Sequence, residues 1–361
     1  MRRERGVTLI ALVITIIVLL ILASVSITTL FGQDGIITKA QDAARKTKEA
    51  SENEQAFLNY ATDYMDSLTR DSVAERVDGV PIPKGFKVST VAGENTKAGG
   101  LVIIDEGVTK NEFVWVPVED LIAEDGTVDG TFTDDQKFGR RLFGTSYSLG
   151  VENMPEELTK SVAKYGGFYI ARYEASYKDG KPASVKSADG SAIPWANTNG
   201  RLWNWISQTE AITVCEDMYG VEASVVSHLP YGAEWDSTLQ WFKETEFSNS
   251  NTSIASDSSS WGNFLSSTFK YGTSLITKHP GDHEVILSSG VITDPPNKHR
   301  VKNIYDMAGN LYEWTQENLL RGGSINVNYD GMYGGYTAAS RTFMPISDGQ
   351  NFGFRIAIYI K

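Results

Sequence analysis

The chain is nearly free of cysteine. Cys215 is the one cysteine in 361 residues, which excludes an intrachain disulfide, cysteine-based zinc sites and any two-cysteine redox centre. A chain this long can bury a sizeable core without such staples, and a lone cysteine reads as a small buried apolar side chain. Histidine is scarce: His228, His279, His283 and His299 are the only four. His279 and His283 are four apart, but Pro280 and Gly281 between them work against a helical ligand pair, so both read as loop histidines. Positive charge is in deficit, with 33 Lys and Arg against 45 Asp and Glu and a net charge of −12. Phosphate binding needs a basic footprint, so nucleic acid is excluded as a partner. There is no nucleophile elbow, phosphate-binding glycine loop or zincin motif, and no repeat of fixed period.

Charge is also missing from one long run. Val7 to Gly32, 26 residues, carries no charged side chain. As a helix it would rise about 39 Å at roughly 1.5 Å per residue, against a bilayer core of about 30 Å. Met1 to Gly6 holds three arginines and one glutamate, and by the positive-inside rule that end stays cytoplasmic while the rest is exported. Ala23 and Ser24 sit too deep in the run for a cleaved signal peptide. Beyond Gln33-Asp34-Gly35, which could interrupt the helix, Ile36, Ala40, Ala43, Ala44, Thr47 and Ala50 continue at helical spacing, and Phe57, Tyr60, Tyr64 and Leu68 extend the stripe. The expectation is a helix over 7–70 that enters the membrane through residues 7–32 and then forms a stalk.

Arg5-Gly6-Val7-Thr8-Leu9-Ile10, ahead of that run, resembles the type IV prepilin leader. The resemblance implies a leader over 1–6, a prepilin peptidase cutting between Gly6 and Val7, a methylated Val7, and pilin subunits or secretion machinery as partners. Pilins usually carry Glu as the fifth mature residue. Ala11 stands there, so filament assembly and a plain anchor both stay open.

Gly79, Pro81 and Pro83 mark residues 71–83 as a linker. Strands are predicted at Leu101–Ile104, Glu112–Val118 and Gly167–Glu174 from their β-branched and aromatic content. Helices are predicted at Trp203–Met218, most clearly Thr209–Asp217, and at Glu234–Glu244. Ser248–Ser260 is almost wholly Ser, Asn, Thr and Asp and reads as a mobile surface loop.

Five motifs then occur in order over about 190 residues. Phe168-Tyr169-Ile170-Ala171-Arg172-Tyr173-Glu174, Leu229-Pro230-Tyr231-Gly232-Ala233-Glu234-Trp235, Ile304 to Thr315 (IYDMAGNLYEWT), Arg321-Gly322-Gly323-Ser324 and Gly353-Phe354-Arg355-Ile356-Ala357 are similar to the motifs of formylglycine-generating, sulfatase-modifying proteins. The resemblance implies a C-type-lectin-like domain over 84–361. The fold class expected is α+β: a long N-terminal membrane and stalk helix, then an irregular domain of twisted antiparallel strands, about two helices and long loops. Read without a family, Gly309, Gly322 and Gly323 serve tight turns, Trp235 and Trp314 supply core area, and Arg321 and Arg355 beside acidic residues point to buried ion pairs.

Family members that oxidise a sulfatase cysteine hold copper on two cysteines between the last two motifs. Arg321 to Lys361 has none, which directs the reading away from an enzyme and assigns no catalytic residue. The family turn also binds Ca²⁺, and the resemblance implies Asp306, Gly309, Leu311 and Glu313 as its ligands here. Pairing of Glu313 with an arginine is the alternative. Residues 325–351 resemble a paratope in composition, with tyrosine for contact area and Asn, Ser and Gly for adaptability. Asn326, Asn328, Tyr329, Asp330, Tyr333, Tyr336, Asp348 and Asn351 are the candidate ligand-binding residues, on the stretch that retroelement-diversified relatives vary. A plain surface loop of turn formers is the alternative. The expected function is a cell-surface adhesin, membrane-anchored by a single pass or pilus-associated, with its C-terminal domain outside the cell and a protein or glycan as ligand. The alternative is an exported enzyme of the sulfatase-modifying or non-haem iron oxidoreductase type.

Overall fold

The computed structural model describes residues 9–31, 35, 37, 39–51, 54, 72–118, 138–141, 143, 150–186, 201–264, 268–271, 274–277, 299–324, 337–343, 348–349 and 351–361. Gly6 and Val7 lie outside them. The chain divides into two compact units, Met1–Asp71 and Ser72–Lys361.

The first unit contains helix α1, Leu9–Phe31. Its hydroxyls bond to its own backbone: Thr15 donates to the Ala11 carbonyl, Ser24 to Ile21 and Ser26 to Leu22, at 2.7–2.8 Å. That leaves an apolar cylinder. Its described side chains, residues 11–27, are all exposed, Leu20 by 64% and Ile27 by 60%. Among the described residues no helix is long and apolar enough to cross a membrane. That span of side chains is shorter than the helix, whose backbone covers 23 residues, about 35 Å at roughly 1.5 Å per residue. A second helical run, α2, covers residues 39–51. It is polar and exposed, with Arg45 bridging Asp42 at 3.4 Å and Glu49 at 3.1 Å, pairs worth a few tenths of a kcal/mol each.

The second unit is a mixed α+β domain built around a six-stranded antiparallel sheet. Its strands run in the order Val225–His228, Ala357–Ile360, Gly167–Ala171, Glu112–Pro117, Val102–Asp105, Phe86–Val88. The last strand of the chain thus lies inside the sheet and ties its two halves together. Side chains alternate between two apolar layers. Val114, Val116, Phe168 and Ile170 enter one layer, and Phe113, Trp115, Tyr169 and Ala171 the other. Both faces are covered, so the strands read as continuous apolar runs. Helices α3 (Glu156–Tyr165) and α5 (Gly232–Thr245) add Leu158, Val162, Trp235, Leu239 and Phe242 to the first layer. Helix α4 (Gln208–Glu216) adds Ala211 and Cys215 to the second. Fully burying each such large side chain contributes about 1.5–3 kcal/mol. Ser207 starts α4 with a capping box: its hydroxyl accepts from Glu210 N at 3.3 Å, and its N–H donates to the Glu210 carboxylate at 2.9 Å.

Three sequence expectations are corrected. Residues 71–83 are not a linker: Val73–Val77 and Val80–Pro83 pair as an antiparallel hairpin that buries Val80 and Ile82. Its prolines are tolerated because it is a separate two-stranded ribbon. Among the described residues the domain has three α-helices, α3, α4 and α5, where about two were expected. Within Ser248–Ser260, Thr252–Ser256 forms a π-helical turn with Ile254 fully buried, and Ser258 is buried as well. One isoleucine in a polar tract is enough to pin it to the core.

Candidate functional site

A smaller four-stranded sheet carries parts of the last three of the five motifs. Its order is Arg341–Thr342, Leu320–Arg321, Tyr312–Trp314, Phe352–Gly353. Arg321 pairs with Glu313 on one side and Arg341 on the other. Glu313 also stands beside Gly353 in a parallel pairing.

The turn leading into this sheet is built from left-handed residues. Asp306, Gly309 and Asn310 have φ of 56°, 84° and 60°; Asp and Asn tolerate that region better than other side-chain-bearing residues. Gly309 is required for a second reason, since a Cβ there would lie 2.3 Å from the Asn263 carbonyl. Asn263 N donates to Ala308 O at 2.7 Å, Asn310 N to Asn263 O at 2.8 Å, and Asn263 Nδ2 to Asp306 Oδ1 at 3.0 Å. Glu174 accepts from Leu311 N at 3.1 Å and from the Asn310 amide.

Glu313 gives both oxygens to Arg355. Nε donates at 2.6 Å and Nη2 closes the second bond. Arg355 also donates to the carbonyls of Tyr305 at 3.1 Å, Asp306 at 3.3 Å and Ala171 at 3.3 Å. Of the four residues assigned to calcium, Asp306 and Glu313 are thus engaged by one guanidinium. Among the described residues no group of three His, Cys, Asp or Glu is arranged to hold a metal. Arg355 lies in the field of Glu174 and Asp306 as well as Glu313, all three buried. Burial raises the Glu313 carboxyl against the pull of Arg355. Burial, with Asp306 and Glu313 beside it, raises that of Glu174 well above its usual value.

A second buried cluster holds the other edge. Arg321 donates to Glu317 at 2.8 Å, to Ser340 O at 2.9 Å and to Asp236. Arg341 donates to the other oxygen of Asp236 and to Glu317 at 3.4 Å. All four side chains are fully buried. Burial pushes Asp236 up against both arginines; for Glu317 burial acts likewise, but Arg321 and Arg341 outweigh it and its carboxyl falls below the usual value. Arg140 extends the cluster to Glu152, 3.4 Å away, which accepts from Gly232 N at 2.6 Å and Ala233 N at 3.3 Å at the start of α5. Burial and then the nearby Glu317 push the Glu152 carboxyl up to about 7. Trp235 stands between the clusters, its ring 5.6 Å from the guanidinium of Arg321 and 5.7 Å from that of Arg355.

Of the expected ligand-binding residues, Asn326, Asn328, Tyr329, Asp330, Tyr333 and Tyr336 lie outside the described residues. Asp348 is exposed and Asn351 half-buried, the latter with its backbone carbonyl accepting from Tyr312 N at 2.8 Å. Sequence reasoning missed two exposed aromatics nearby. Trp205, 41% exposed, donates its backbone N–H to Gly349 O at 3.2 Å, and Phe343, 67% exposed, follows the Arg341–Thr342 strand. Trp205 has φ +54°, a strained position for a bulky residue. No local sequence signal marks it. His228 is buried against Glu234 at 2.8 Å, and His299 is buried; His279 and His283 lie outside the described residues.

No model of a known protein family matches the chain, and no curated protein matches it closely enough to be given as a relative.

Proposed function

We propose that this protein is a cell-surface binding protein of adhesin type, anchored by a prepilin-like N-terminal helix and presenting a lectin-like domain to an extracellular protein or glycan. The observation that carries the reading is the frame on either side of residues 325–336. Leu320–Arg321 and Arg341–Thr342 are paired strands, and Arg321 and Arg341 grip the same Asp236 carboxylate. Ser324 and Thr337 are buried. Binding loops belong on rigid scaffolds of this kind, and the residues between these posts are rich in Tyr, Asn and Gly. Trp205 adds an exposed aromatic held in strain beside Gly349, a feature that concentrates at functional sites.

The anchor is supported by the first unit. A helix that is apolar all round is stable when lipid or protein covers it, and α1 exposes its apolar side chains on all sides. Prepilin processing rests on the leader residues alone.

Two measurements test the reading. N-terminal mass spectrometry of the native protein should find a methylated Val7; a Met1 or Arg2 start rejects processing. Alanine at Tyr329, Tyr333, Tyr336 and Trp205 should abolish binding of expressing cells to host cells or immobilised glycans while the protein stays folded. Unchanged binding by all four variants rejects the recognition face.

A further inference from the structure

A groove of about 490 Å³ lies between α3 and the edge of the six-stranded sheet. Helix α3 packs on Gly167–Ala171 and Ala357–Ile360. Val226, on the outermost strand, stays half-buried, as does Tyr165 at the end of α3. These two side chains form the apolar floor, with Tyr359 and Ile360 buried behind them.

The rim is cationic. Glu157, Lys160, Ser161 and Lys164 share one face of α3 at helical spacing and line the groove, and Lys361 adds a third ammonium. Three lysines thus meet one glutamate, in a chain whose net charge is −12. Lys160 reaches Glu156 at 2.7 Å, but both are exposed, and such a pair yields readily to a competing anion. The Lys164 ammonium lies 4.7 Å from the Tyr165 ring centre, at the junction of rim and floor. Lys361 Nζ donates to Val221 O at 2.6 Å, which fixes its position.

The lining selects among ligands. It carries three hydroxyls, and two are already engaged: Ser161 donates to Ile360 O at 2.6 Å and Tyr165 to Lys361 O at 3.2 Å. A peptide backbone or a sugar needs donors and acceptors placed to match its own, and only the Tyr359 hydroxyl is left beside the charged ends. An acyl chain needs none and withdraws its apolar surface from water along Val226 and Tyr165. A carboxylate at its end meets ammonium groups, which make the stronger, charge-assisted hydrogen bonds. The volume falls within the roughly 300–1,000 Å³ of small-ligand sites. We propose that this groove binds a long-chain fatty acid, with its acyl chain on Val226 and Tyr165 and its carboxylate on Lys160 and Lys164. The site goes beyond the recognition face proposed above and does not depend on it.

The test uses the full chain in phosphatidylcholine nanodiscs and palmitic acid carrying a photoreactive diazirine on its chain, with the labelled residues mapped by mass spectrometry. Saturable labelling should fall on α3, on Val226 and on residues 359–361, and unlabelled palmitate should compete for it. Hexadecanol, which has the chain without the charge, should compete about tenfold less well or worse. Lys160→Gln combined with Lys164→Gln should weaken labelling by about tenfold or more without lowering Tm, since both side chains are exposed. Lys87→Gln, exposed on the opposite edge strand of the same sheet, should leave it unchanged. Labelling confined to Leu9–Phe31, labelling that palmitate does not displace or that the double variant leaves intact, equal competition by hexadecanol, or displacement by phosphatidylglycerol as readily as by palmitate overturns the proposal.

Discussion

The two buried ionic clusters flank one tryptophan yet differ in charge balance. Around Asp236, Glu317 and Glu152 there are three arginines, Arg321, Arg341 and Arg140, for three carboxylates. Around Arg355 there is one arginine for three carboxylates, Glu313, Glu174 and Asp306. Desolvating a charge costs several kcal/mol, and only close partners offset it. The balanced cluster is therefore a lock in which Asp236 and Glu317 each meet both Arg321 and Arg341. In the acidic one burial raises the carboxyls of Glu174 and Glu313.

The largest expected effect breaks the acidic cluster. Arg355→Ala takes from buried Glu313 the guanidinium that holds both its oxygens and should cost about 3–5 kcal/mol. Arg341→Ala leaves Arg321 on both acids and should cost about 2–3 kcal/mol, the value of its charged hydrogen bonds. Urea unfolding of the full chain measures both. Equal losses would show that charge balance is not what separates the clusters.

A smaller effect tests the rim of the balanced cluster. The folded-state pKa of Glu152 is raised to about 7 from 4.5, so between those values the folded protein holds a proton that the unfolded chain has lost. Stability from this group falls as pH rises through that window. Glu152→Gln should therefore gain on the wild type at pH 8, by at most about 3 kcal/mol, and the gain should fade toward pH 4.5. A difference in Tm that is constant from pH 4.5 to 8 would rule out the raised value.

The smallest effect concerns metal. Arg355 already occupies both Glu313 oxygens, so chelation should shift Tm by less than about 2 °C. A drop of several degrees that calcium reverses would restore the turn of Asp306, Gly309, Leu311 and Glu313 as a calcium site.

What could be read from the sequence was local. Strands at Val102–Asp105, Glu112–Pro117 and Gly167–Ala171, and helices α4 and α5, follow their apolar patterns to within a few residues. Arg321 and Arg355 were readable as buried ion-pair donors from their acidic neighbourhood. Their partners were only partly readable, because Asp236 lies 85 residues from Arg321. Helix α3 has few strong apolar residues, but its end signals were present: Pro155 before it, Glu156 and Glu157 in the first turn, Lys164 in the last and Gly166 beyond. The first hairpin had its signal in Asp78-Gly79 between two apolar runs, outweighed in the reading by Pro81 and Pro83.

The pairing of Leu320–Arg321 with Arg341–Thr342 has a consequence for how this protein can change. Once the frame has formed, the chain between these two strands is closed at both ends by their pairing. The entropy of closing such a loop grows only with the logarithm of its length, about 0.6 kcal/mol for each doubling. Exchange or lengthening of the residues between Ser324 and Thr337 should therefore leave the folding of the domain nearly untouched. The walls and the contents of this socket are free to evolve at different rates.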